Sequence, residues 1–133
     1  MATDTQSLLD ASNYAATTQQ VSMAKTWVRD TARGLVDDET LYDLALCAAE
    51  IVDNARKHGR SDGAILVELY LTDDTVRLEV TNDSLGISVP YVTDSLYTVE
   101  GHGMQIVEAL AAHWGKEKTS DHDQLVWCEF PRK

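Results

Sequence analysis

Basic residues are scarce. Eleven lysines and arginines stand against 22 aspartates and glutamates, a net charge of −11 in 133 residues. A chain this acidic repels phosphate backbones, so direct nucleic-acid binding is not expected. Long apolar runs are missing as well. Charge interrupts each one well before the roughly 20 residues that a membrane helix needs, and no membrane partner is expected. The first residues, Met1 to Asp10, are polar and acidic and do not read as a secretory leader, so the expected compartment is the cytoplasm. Cysteine is limited to Cys47 and Cys128, each in an apolar pattern without metal-ligand spacing. Both read as reduced core thiols. Repeats, linkers and low-complexity tracts are absent. What remains is 44% apolar and 25% charged, an ordinary globular mixture in a chain long enough for one two-layer core. One domain over 1–133 is expected.

Residues 1–16 are weakly patterned and fit either a frayed end, flexible over 1–12, or a short first strand. A helix is predicted over 18–33. Thr17 and Gln20 have capping-box spacing. Val21, Ala24, Val28, Ala32 and Leu35 recur at helical intervals, and Gly34 marks the stop. A second helix is predicted over 39–57, capped by Asp37 or Asp38 and ended by Gly59. Its apolar stripe includes Leu41, Leu44, Ala48, Ile51, Val52 and Ala55. Alternation then predicts a hairpin: Ile65 to Leu71, a turn at Asp73-Asp74, and Val76 to Val80, ending at Thr81-Asn82. Residues 83–100 lack a period. A third helix is predicted to follow Gly101-His102-Gly103, with Met104, Val107, Leu110, Ala111 and Trp114 inward and Gly115 as stop. Strands near 116–119 and 125–130 close the chain around a polar turn at 120–123. Paired strands with separate helices indicate an α+β two-layer sandwich.

Three constellations carry chemistry. Glu50 and Asn54 lie one turn apart, opposite the apolar stripe of the second helix. A carboxylate can orient or deprotonate a nucleophile, and an Asn carbonyl suits Mg²⁺, which keeps few protein ligands beside phosphate oxygens. Gly101 and Gly103 allow backbone to approach a ligand, and helix N-terminal amides bind phosphate. Asn82, Asp83 and Gly86 close a strand, where a polar side chain can read the amino group of adenine. Singly these are a solvated pair, a tight turn and a polar turn.

Together, in this order, they resemble the GHKL ATPase and kinase superfamily, the Bergerat fold shared by gyrase and histidine-kinase catalytic domains. Glu50-x-x-x-Asn54-Ala55-x-x-His58 looks like its N-box. Residues 82–86 occupy its first glycine box, and Gly101-x-Gly103-Met104-x-Ile106-Val107 looks like its second. The nearest branch is the short single-domain one: anti-sigma-factor serine/threonine kinases and related ATP-binding regulators of actinobacteria. Val21 to Asp30 and Val126-Trp127 share in that match.

The resemblance implies a mixed, mostly antiparallel sheet with about three helices on one face. It implies ATP and Mg²⁺ as cofactors, Glu50 as general base and Asn54 as metal ligand. The nucleotide contacts it implies are Asn54, Lys57, His58, Asn82, Asp83, Gly86, Gly101, His102, Gly103 and Met104. A lid over ATP is implied at 87–100. The family expects Asp-x-Gly-x-Gly in its first glycine box, whereas strand register puts Asn82 at the Asp position and Ser84 at the first Gly. A shift by one makes Asp83 the reader, with its side chain on the opposite side of a continuing strand. Three functions stay open. The first is a kinase that transfers the γ-phosphoryl group to a protein and sequesters a sigma factor, commonly as a homodimer. The second is a nucleotide-binding module without catalysis. The third is a protein-interaction domain.

Overall fold

The computed structural model describes residues 6–60, 62–83, 98–119 and 123–133, with side chains for all of these except 98–103. The elements run β1 (Ser7–Ala15), α1 (Thr18–Ala32), α2 (Asp38–His58), β2 (Ala64–Leu71), β3 (Thr75–Asp83), α3 (Thr98–Leu110), β4 (His113–Lys118) and β5 (Asp123–Pro131). The strands form one sheet in the order β1-β2-β3-β5-β4.

All four ladders are antiparallel. Among the described residues the sheet is antiparallel throughout, in keeping with the mostly antiparallel α+β sandwich expected from the family resemblance. Among the described residues the parallel contact is an isolated bridge between Arg33 and Val36, outside the sheet. β2–β3 and β4–β5 are joined as hairpins, which makes those two pairs antiparallel.

Both long helices start and stop where their caps lie. Thr17 Oγ1 accepts the Gln20 N–H at 3.2 Å, and Asp37 Oδ1 accepts that of Thr40 at 2.8 Å. The Thr40 backbone bond holds the Asp37 carboxyl below its usual range. The Gln20 side chain reaches back to the Ala15 N–H rather than to Thr17, because the Thr17 N–H already binds Ala15 O. Gly34 takes a φ of +87°, a left-handed conformation that glycine adopts without strain.

The sheet alternates cleanly. Ile65, Val67 and Leu69 of β2, Val76, Leu78 and Val80 of β3, and Cys128 and Phe130 of β5 are buried under the helices. Leu44, Ile51 and Val52 of α2 meet them in one core. α2 touches α1, α3, β2, β3 and β5, so it is the spine of the helical layer. Among the described residues no helix is long and apolar enough to cross a membrane.

Burial pushes the Cys47 thiol up to about 12, helped by the charges of Asp43 and Glu50. Cys128 is also pushed well up by burial. Tyr70, whose hydroxyl donates to Glu68 at 3.1 Å, is pushed to about 12 by partial burial and then by the Glu68 charge. All three groups are neutral when folded, and the unfolded chain ionises them first, near about pH 8.5 for a thiol and about 10 for tyrosine. Their contribution to stability is thus complete below about pH 8.5 and is lost as pH rises toward 12. Both thiols are expected to resist an aromatic disulfide reagent at pH 8 and to react fully in denaturant. Fast labelling of the native protein would contradict the buried placement.

Three sequence expectations change. The weakly patterned N-terminus holds a full nine-residue strand, β1. Its pattern is blurred because most of its positions are exposed and a bulge between Leu8 and Asp10 shifts the register. α3 begins at Thr98, so Gly101-His102-Gly103 lies inside it rather than before it. The packing of Met104 and Val107 on the core sustains the helix, although each glycine weakens it by about 1 kcal/mol relative to alanine.

Finally, α3 ends at Leu110, and Trp114 and Gly115 belong to β4, which spans 113–118 rather than 116–119. Trp114 pairs with Cys128, and Gly115 with Trp127. A Cβ on Gly115 would stand 2.8 Å from the indole Nε1 of Trp127. This glycine is the seat of that ring and not a helix stop.

Candidate nucleotide site

α2 places Glu50 and Asn54 one turn apart, both half-buried. The far side of the helix is closed by Ala48, Val52 and Ala55, and buried Cys47 and Ile51 border the pair. Alternatives at the neighbouring polar positions are taken: Asp53 accepts from Arg56 at 2.8 Å and pairs with Lys57 at 3.3 Å. Lys57 is therefore held along its own helix by Asp53. His58, the last residue of α2, is exposed. Glu50 and Asn54 remain on this surface as a half-buried polar pair.

β3 continues through Asp83, which pairs with Asp123 across the β3–β5 ladder. The strand alternation therefore holds at Asn82 and Asp83. Asn82 points to the helical side and is buried, 5% exposed. Asp83 lies on the other side, with Oδ2 at 3.8 Å from Arg60 Nε.

Among the described residues Asn82 Nδ2 has no hydrogen-bond partner. A buried, unpaired polar group costs about 1–3 kcal/mol. The atom sits over Gly59, the C-cap of α2. A Cβ there would stand 2.6 Å from Asn82 Nδ2, 2.9 Å from Ala55 O and 3.2 Å from Asp83 O. The backbone of Gly59 is extended, with φ −95° and ψ −172°, so close approach and not conformation requires the glycine. Arg60 N donates to Asp83 O at 3.0 Å, stitching the end of α2 to the end of β3.

The structure thus brings Asn82 to the C-terminal end of the helix that carries Glu50 and Asn54. α3, which carries Gly101, His102, Gly103 and Met104, packs against the same helix. Met104 is half-buried against the core. Gly86, Ser84 and the expected lid at 87–97 lie outside the described residues, as does the expected turn at 120–122. The last residues assigned to the lid, 98–100, form the first turn of α3. Sequence reasoning took Gly59 for a helix stop and passed over Arg60. Neither role has a local signal, because both depend on where β3 ends.

Among the described residues no group of three or more His, Cys, Asp or Glu is placed to hold a metal ion. Mg²⁺ bound by one or two side-chain oxygens together with phosphate oxygens needs no such group.

No curated protein matches the chain significantly. A family model, the histidine kinase-like ATPase domain, matches residues 14–127, from the end of β1 into β5. A match of that extent makes the chain a member of the histidine kinase-like ATPase domain family, within the GHKL superfamily, and so an ATP-binding domain.

Proposed function

We propose that residues 1–133 form one domain that binds Mg-ATP and regulates a protein partner in the manner of an anti-sigma serine/threonine kinase. The observation that carries this reading is the half-buried Glu50–Asn54 pair on α2, with α3 packed against the same helix.

The residues present fit a nucleotide. Asn82 holds a buried donor without a partner among the described residues, at the end of β3 and packed over Gly59. Asn82 would hold the base. Asn54 would offer its amide oxygen to Mg²⁺. Gly101 and Gly103, without side chains, would let the phosphates approach α3, with His102 and Met104 beside them, and His58 would stand at their edge. When bound, Mg-ATP supplies the phosphoryl group to be transferred. Glu50 orients a serine or threonine hydroxyl and accepts its proton. Positioning and charge neutralisation provide most of the rate in such reactions. The partner in this reading is a sigma factor or an anti-sigma antagonist, met in the cytoplasm by a homodimer.

Calorimetric titration with ATP, with and without Mg²⁺, tests the site. Asn54→Ala is expected to weaken Mg²⁺-dependent binding about 10–100-fold, the worth of one charge-assisted contact. Glu50→Ala is expected to keep binding and lose phosphotransfer. Absence of binding at millimolar nucleotide would sink the reading. A second reading, a nucleotide-binding module without transfer, is favoured by one observation: the buried side chain at the end of β3 is the amide of Asn82 and not a carboxylate.

A further inference from the structure

The described residues give Asn82 Nδ2 no acceptor. Two backbone carbonyls that flank Gly59 beside it are already engaged: Ala55 O accepts from Gly59 N, and Asp83 O accepts from Arg60 N. A donor left unpaired at 5% exposure, its amide packed over Gly59, calls for an acceptor that the described residues do not supply.

We propose that this acceptor lies on the six-position edge of a purine, and that Asn82 makes the site accept 6-oxopurine triphosphates alongside ATP. The inference rests on the ATP-binding reading above and adds the class of base.

The argument is one of donors and acceptors. A carboxylate in this place only accepts. It pairs with the amino group of adenine and opposes the carbonyl oxygen of hypoxanthine or guanine. A carboxamide holds a donor and an acceptor in one plane. Toward adenine it accepts from the six-amino group and donates to the adjacent ring nitrogen. Toward a 6-oxopurine it donates to O6 and accepts from N1–H. The two arrangements differ by a half-turn of the terminal amide, a torsion with two-fold character. Either base pairs Nδ2, so the unpaired group that would reject one of them never arises.

The test is calorimetric titration of the whole chain with Mg²⁺ and three triphosphates: ATP, inosine triphosphate and purine riboside triphosphate. The first two differ at the six-position edge, and the third has only hydrogen there. The wild-type protein is expected to bind ATP and inosine triphosphate within about fivefold of each other, and purine riboside triphosphate about tenfold or more weaker.

Asn82→Asp is expected to open the ATP preference to about 100-fold. Asn82→Thr, which keeps a small polar side chain should the aspartate variant fail to fold, is expected to weaken both triphosphates by the same factor. ATP binding with inosine triphosphate about 100-fold weaker in the wild type would overturn the inference and leave the ATP reading standing. So would equal affinity for all three ligands, because the base edge would then go unread. No binding of any of them would remove the ATP reading itself.

Discussion

Gly59→Ala is expected to lower the melting temperature by about 10 °C and to abolish measurable nucleotide binding. The new methyl would stand 2.6 Å from Asn82 Nδ2 and 2.9 Å from Ala55 O. Asn82 is buried, and Ala55 O is backbone that already closes the last turn of α2. Something must shift, and overpacking of this kind costs about 2–3 kcal/mol. In a domain of this size that corresponds to about 10 °C. The strain falls on the side chain proposed to hold the base, so affinity is expected to go with stability.

Gly63→Ala is the control. Its Cβ would meet Arg60 Cβ at 3.3 Å and nothing nearer, and it is expected to melt within about 2 °C of the parent, the span of an ordinary surface substitution. Circular dichroism melts and a nucleotide titration of both variants decide the matter. Equal melting of the two would remove the close approach at Gly59 from the account.

The second large effect lies on the sheet face away from the helices. Arg77 donates from Nε to Glu79 at 2.7 Å and from a terminal guanidinium nitrogen to Glu129 at 2.9 Å. Its guanidinium carbon lies 4.0 Å from the ring centre of Trp127, and that ring is seated on Gly115. The three charged side chains are 13–18% exposed.

Arg77→Ala is expected to cost about 2–3 kcal/mol. Two largely covered carboxylates would lose their shared cation, a loss worth more than a surface pair and less than a fully buried one. The indole would also lose a stacked cation. Arg77→Lys is expected to recover only part, since a point charge cannot serve two carboxylates and a ring at once. Urea unfolding of the three proteins measures this. A loss below about 0.5 kcal/mol for Arg77→Ala would show the cluster to be an exposed ion pair in all but appearance.

Local chemistry made much of this structure readable in advance. Thr17 and Asp37 begin helices, and Gly34 and Gly59 end them, because caps act over three or four residues. The β2–β3 hairpin followed from alternation alone, and alternation also put Asn82 and Asp83 on opposite sides, while the continuation of β3 through Asp83 makes Asn82 the inward one. The spacing of Glu50 and Asn54 put them on one helical face without any knowledge of the sheet.

The failures share a cause. Trp114 lies three residues after Ala111 and four after Leu110, so it fits a helical stripe as well as a strand, and only its ladder with Cys128 decides between them. β1 is an edge strand with a bulge, where exposure erases the alternation that would reveal it. The seats of Asn82 on Gly59 and of Trp127 on Gly115 join residues distant in sequence. So does the pairing of Arg77 with Glu129. Each needs the register of β3 and β5 before it can be seen.

The strand order has a kinetic consequence. β2–β3 and β4–β5 are hairpins that can close within their own segments. The other two ladders cannot: Ser7 meets Leu71, and Thr75 meets Pro131. Closing loops of that length costs chain entropy before any contact repays it. Refolding is therefore expected on the millisecond-to-second scale of sheet-dominated domains rather than the microseconds of helical bundles. Helices and hairpins form early on that route, and the docking of β1 onto β2 and of β5 onto β3 sets the pace.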